Sequence, residues 1–139
     1  MPGKPPPPNL DSFHRERSKL LDAFACVEAQ LVRAIVRGGG KAKRDTLASK
    51  IKTFREQRAG NISDEVAGAV DRLQELNSLR TDIVHSQLGL IDHDDERYAE
   101  FSNAGAAAER IQPATRLTYQ SIREIANELT KAAELIKLS

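Results

Sequence analysis

Residues 63–86 read SDEVAGAVDRLQELNSLRTDIVHS. Val66, Val70, Leu73, Leu76, Leu79, Ile83 and Val84 recur every three or four residues, the spacing of one apolar helix face. Ser63 can cap the start, and Asp64 and Glu65 suit the positive end of the helix dipole. The pattern gives out around Leu88-Gly89. Arg80 interrupts the apolar stripe, between Leu76 and Ile83. Burying a lone guanidinium costs several kcal/mol, so Arg80 must meet a carboxylate, backbone carbonyls or a solvent-filled cleft. Glu28, on the margin of an earlier helix's stripe, is a candidate partner.

That earlier helix precedes it in the chain. Asp11 or Ser12 can cap a helix running to about Arg37, with Leu20, Phe24, Val27, Leu31 and Ile35 on one face. Cys26 lies within this pattern and reads as a small buried hydrophobe. Gly38-Gly39-Gly40 ends the helix. It lacks the Gly-Lys-Ser/Thr ending and preceding strand of a phosphate-binding loop, so it reads as a connection. A shorter helix follows from about Thr46 to Arg58, with Leu47, Ile51 and Phe54 inward, and Gly60-Asn61 stops it.

After the central helix the period changes to two. Residues 87–102 read as a β-hairpin around the acidic turn Asp92-His93-Asp94-Asp95-Glu96. A weak cation site there lacks the glycine and twelfth-position glutamate of a calcium-binding helix-loop-helix, so the turn reads as solvated. Residues 103–113 read as a small-residue linker. Thr115 or Thr118 then caps a last helix to about Leu138, with Ile122, Ile125, Leu129, Ala132, Ala133 and Ile136 as its stripe. Four helices, each with one apolar face, predict an all-α protein: an antiparallel four-helix bundle with a small β-hairpin between helices 3 and 4.

The composition agrees. In 139 residues there are four Phe, two Tyr and no Trp, so aliphatic residues must build most of the core. Residues 1–10, with Pro5-Pro6-Pro7-Pro8, read as an extended Pro-rich leader, and residues 11–139 as one helical domain. No secretory or membrane-spanning segment is evident, and the single Cys26 excludes an internal disulfide, so the expected compartment is a reducing cytoplasm. Net charge is only +1, yet residues 33–58 hold nine Lys or Arg against Asp45 and Glu56. Lys41, Lys43, Arg44 and Lys50 from this segment are candidate contacts for RNA, a polyanion. His14 falls near the exposed start of the first helix and reads as a surface residue.

Arg80 and His85 carry the sharpest chemical signal, a phosphate-binding cation five residues before a neutral-pH proton carrier. On a regular helix they lie about 140° apart. They can therefore cooperate only at a distorted helix end or across two copies of the chain. The stretch Asn77-Ser78-Leu79-Arg80-Thr81-Asp82-Ile83-Val84-His85-Ser86 resembles the HEPN superfamily (higher eukaryotes and prokaryotes nucleotide-binding), whose helical pattern extends from about Phe13 to Leu138. That resemblance implies a homodimer with a cleft between protomers and RNA cleavage without metal or cofactor. It also implies a role in toxin–antitoxin systems or phage defence, with an antitoxin or other partner protein. Arg80 would hold the scissile phosphate, His85 would move the proton, and Thr81 and Asp82 would orient the pair. Many catalytic members carry Asn directly after the arginine, where this chain has Thr81. The resemblance thus leaves two readings open: a metal-independent endoribonuclease and a catalytically silent dimerisation or binding module.

Overall fold

The computed structural model describes residues 5–41, 46–102 and 114–139. Its elements are α1 (Leu10–Arg37), α2 (Leu47–Gln57), α3 (Asp64–Val84), β1 (Gln87–His93), β2 (Glu96–Ser102), β3 (Ala114–Thr118) and α4 (Tyr119–Lys137). Each helix begins at a side-chain cap. Asn9 accepts from the Ser12 amide, Thr46 from Ser49, Ser63 from Val66 and Thr118 from Ser121. These caps supply acceptors for amides that the first turn leaves unpaired. The first helix therefore starts slightly before the Asp11 or Ser12 cap suggested by the sequence, because Asn9 takes that role.

The helix directions follow from contacts at their ends. Phe13 and Tyr119 meet edge to face, with ring centroids 5.4 Å apart, so α1 and α4 start together. Arg37 at the end of α1 donates to the carbonyls of Ile136, Lys137 and Ser139, so the two helices also finish together. Between α3 and α4, Arg72 Nε lies 2.6 Å from Glu128, while Arg17 near the start of α1 reaches the carbonyls of Ile83 and Ser86 at the end of α3. α3 therefore runs opposite to α1 and α4. The expected antiparallel arrangement is corrected: α4 runs parallel to α1, and so does α2, where Gln57 and the cap Arg58 donate to the carbonyls of Ile35 and Ala34 near the end of α1. For α4 the physical reason is the sheet, which leaves it to start where α3 ends, at the end of the molecule where α1 began.

The expected hairpin is likewise a three-stranded antiparallel sheet in the order β1-β2-β3. Pairs such as Leu90 with Ala99 and Phe101 with Thr115 set its register. Thr115 belongs to β3, and Thr118 is both the last residue of that strand and the cap of α4. Asp94 and Asp95 have φ of 49° and 63°, the left-handed pair of a two-residue hairpin turn that Asp tolerates. Alternation sends Ala99 and Phe101 into the core, with Leu88, Leu90 and Leu117 packed against it.

All four phenylalanines, Phe13, Phe24, Phe54 and Phe101, are buried. They join α1, α2 and the sheet into one apolar cluster with Leu73, Ile83, Ile122 and Leu129. Cys26 is exposed, contrary to its expected burial. It stands about 160° from Phe24 and 100° from Val27 on the helix, outside the stripe. No described helix is long and apolar enough to cross a membrane.

Candidate functional site

α3 carries Arg80, Thr81 and Asp82 in its last turns, and it stops at Val84. This is earlier than the apolar pattern implied, because His85 has left helical geometry as the C-cap, with φ −102° and ψ 7°. Its backbone N–H still donates to the Thr81 carbonyl at 3.3 Å. Two interactions fix this stop. Ser86, itself buried, donates its hydroxyl to the Ile83 carbonyl at 3.2 Å. Arg17 Nη2 donates to the carbonyls of Ile83 at 2.6 Å and Ser86 at 2.9 Å. A guanidinium thus satisfies carbonyls that the end of the helix would leave without donors, and its charge favours the negative end of the dipole. The Arg17 guanidinium also lies 6.0 Å from the centre of the Phe101 ring.

Arg80 meets the carboxylate that the sequence suggested, with Nη2 3.2 Å from Glu28 Oε1. Its side chain is 32% exposed and that of Glu28 21%, so the pair sits at the wall of a cleft rather than in the core. That cleft has a volume of about 390 Å³ and is lined by Glu28, Thr46, Leu47, Ala48, Lys50, Asn77, Arg80 and Thr81. It brings Lys50 to Arg80, joining one member of the basic segment to the α3 site. An ion pair this accessible contributes on the order of 1 kcal/mol or less, so an incoming anion can compete with Glu28.

The other expected site residues are distributed differently. The Thr81 hydroxyl donates to the Asn77 carbonyl within its own helix, at 3.3 Å. Asp82 Oδ2 accepts from the Thr115 hydroxyl at 3.2 Å, tying α3 to β3. His85 is exposed at the end of α3 and does not line the Arg80 cleft. Lys41 is exposed beyond the end of α1, while Lys43 and Arg44 lie outside the described residues. The structure therefore joins Arg80, Thr81 and Lys50, and leaves His85 on a separate surface of the chain.

Arg17 was not singled out from the sequence, although the signal was present. It falls between Phe13 and Leu20 on the apolar side of α1, as Arg80 does on α3. Its neighbour Glu16 is buried, and it accepts from the Tyr119 hydroxyl at 3.2 Å and from Lys19 at 3.3 Å.

At the acidic turn, Arg97 Nε donates to Asp92 Oδ1 at 2.8 Å and its Nη2 to Oδ2 at 3.2 Å. His93 Nε2 lies 3.2 Å from Asp94. The hydrogen bonds from Arg97 hold the Asp92 carboxyl below its ordinary pKa of 3.8. A lowered folded-state value makes the pair stabilising above the ordinary carboxylate range and removes that contribution as pH falls through the lower folded value. Carbon-detected NMR titration should accordingly give Asp92 a lower midpoint in the native protein than in an Arg97→Gln variant. Among the described residues, no group of three or more His, Cys, Asp or Glu is placed to hold a metal ion.

A larger cleft of about 650 Å³ lies at the opposite end of α3, between Phe54, Arg58, Ile62, Val66, Leu135 and Leu138. It contains none of the expected catalytic residues. Comparison of the chain with protein-family models, curated proteins and solved structures returned no match.

Proposed function

We propose that this protein is a metal-independent endoribonuclease of toxin or defence type that acts as a dimer through a composite Arg80/His85 site. The observation that carries the reading is the placement of Arg80 in an open cleft beside Lys50. Two cations at the wall of a cleft suit a phosphodiester and its neighbouring phosphate. His85 adds a solvent-accessible imidazole at the end of the same helix, and the resemblance to HEPN proteins supplies the chemistry that links the two.

In that chemistry His85 takes the proton from a ribose 2′-hydroxyl, and the 2′-oxygen bonds to phosphorus. The bond from phosphorus to the 5′-oxygen breaks, and the leaving oxygen receives a proton. The products are a 2′,3′-cyclic phosphate and a 5′-hydroxyl. Arg80 offsets the charge that develops on the phosphoryl oxygens. Because His85 lies outside the Arg80 cleft of its own chain, the second copy supplies the imidazole. For RNA to bind, Glu28 must release the guanidinium.

A second reading is a catalytically silent dimerisation or binding module. The Arg80–Glu28 pair and the Thr81 hydroxyl turned to its own helix favour it. Incubation of purified protein with single-stranded RNA in excess chelator separates the two. The ribonuclease reading requires fragments ending in cyclic phosphate, and RNA left intact would favour the silent module.

A further inference from the structure

RNA cleavage of this kind moves two protons, and the two oxygens concerned stand apart. In-line displacement places the attacking 2′-oxygen and the leaving 5′-oxygen on opposite sides of phosphorus, so each needs its own group within hydrogen-bond reach. The polar side chains that line the Arg80 cleft are Glu28, Thr46, Lys50, Asn77, Arg80 and Thr81. Ammonium, guanidinium, hydroxyl and amide groups do not take up a proton near neutral pH. Glu28 is therefore the one proton acceptor among the described side chains of that cleft.

Three helices bring this carboxylate to the phosphate-binding cations. On α1, Glu28 stands about 100° from the buried Val27, and it is only partly buried, so it reaches the cleft rather than the core. α3 supplies Arg80 and α2 supplies Lys50. The contact between Arg80 and Glu28 is looser than other arginine–carboxylate pairs of the chain. Arg72 holds Glu128 through two hydrogen bonds, at 2.6 and 3.3 Å, and Arg97 holds Asp92 in the same two-point way. Arg80 and Glu28 meet at 3.2 Å without that fork, so they part more readily.

We propose that Glu28 is the general base of the reaction and that the imidazolium of His85, from the second copy, is its general acid. This rests on the ribonuclease reading and refines it at one step, giving the first proton to the carboxylate instead of the imidazole. A phosphoryl oxygen that takes the place of Glu28 on Arg80 leaves the carboxylate free and beside the phosphate. The 2′-hydroxyl sits on the carbon next to the one whose 3′-oxygen carries that phosphate, so it is the ribose hydroxyl closest to Glu28. Its proton passes to a Glu28 oxygen, and the 2′-oxygen bonds to phosphorus. The bond from phosphorus to the 5′-oxygen breaks, its electron pair stays on that oxygen, and the imidazolium supplies the proton. Glu28 ends protonated and His85 neutral, and exchange with water restores both. Arg80 and Lys50 offset the charge on the phosphoryl oxygens throughout. The ion pair of the empty cleft thus holds cation and base side by side, and substrate separates them.

The test uses an RNA oligonucleotide, either unmodified or with sulfur replacing the 5′-bridging oxygen at the bond that the native protein cuts. A thiolate leaves without a proton, so the sulfur substrate does not need the acid. Glu28→Gln keeps the shape of the side chain and should slow the chemical step by roughly 10²-fold or more on both substrates. Its RNA affinity should hold or tighten, because Arg80 loses a competitor. Glu28→Asp keeps a carboxylate and should cleave faster than Glu28→Gln. His85→Ala should be slow on the oxygen substrate and recover most of its loss on sulfur. Circular dichroism verifies the fold of each variant. If Glu28→Gln does not fold, the response of His85→Ala to sulfur decides which proton the imidazole carries. A folded Glu28→Gln protein that cleaves as fast as the native one, or faster, makes Glu28 a latch on Arg80 and overturns its role as base. So does a His85→Ala protein that gains nothing from sulfur. Both results leave the ribonuclease reading intact, whereas a native protein that cuts no RNA overturns that reading and the base with it.

Discussion

His85→Ala is expected to lower RNA cleavage by roughly 10²- to 10⁴-fold, the usual contribution of a positioned general acid–base group. Stability should barely change. His85 is exposed, and the link that caps α3 comes from its backbone N–H, which alanine retains. The combination is diagnostic, because a variant that folds normally and loses cleavage identifies a group used in the reaction. Single-turnover kinetics should show the loss in the chemical step, with RNA affinity nearly unchanged, since the proposed phosphate contacts, Arg80 and Lys50, are retained. Full activity in His85→Ala would remove the imidazole from the reaction.

The second large effect falls on stability. Arg17→Met should destabilise the fold by about 3 kcal/mol, since hydrogen bonds from a charged donor contribute about 1.5–3 kcal/mol each and are not fully additive. The substitution leaves the Ser86 carbonyl without its donor in a part-buried setting and removes one of two donors to the Ile83 carbonyl, which keeps the Ser86 hydroxyl. Methionine preserves much of the packing against Phe101, so the loss reports mainly on the hydrogen bonds. Arg17→Lys should recover only part of the stability, because an ammonium lacks the planar fork that spans two carbonyls. Urea unfolding of the three proteins measures both differences. If Arg17→Met matches the native protein, the guanidinium is not what ends α3.

Local patterns made much of the helical framework legible. The stripes of α1, α3 and α4 recur in the buried residues, and the caps at Thr46, Ser63 and Thr118 follow from residue type at the edge of each pattern. The Arg80–Glu28 contact was also foreseeable, because a cation on an apolar stripe needs a partner. Helix direction was not legible. It depends on the path taken between elements, and the parallel α1–α4 pair arises from long-range contacts such as Phe13 with Tyr119.

The third strand is hidden in the sequence for a related reason. Residues 114–118 are short, and Thr118 also caps α4, so the helix signal overrode the alternation of Thr115 and Leu117. The end of α3 is not legible either, because Leu88 continues the apolar count past His85. Arg17 stops the helix through tertiary hydrogen bonds that no local pattern contains, and the buried Ser86 adds a local one to Ile83. As for the candidate site, the sequence identified its cation and its carboxylate partner. Lys50 is a candidate RNA contact by its basic segment, but that it shares a cleft with Arg80 follows only from the placing of α2 beside α3.

A composite site across two copies makes a specific claim about mixing. Arg80→Gln and His85→Ala proteins, each inactive alone, can be unfolded together and refolded as one sample, with circular dichroism confirming that both regain structure. In a mixed dimer, Arg80 from the His85→Ala chain meets His85 from the Arg80→Gln chain, which restores one site while the other lacks both groups. With half the dimers mixed, the sample should recover about a quarter of native cleavage. Recovery near that level is the predicted result. Two folded, dimeric variants that remain inactive after mixing would contradict a site shared between chains.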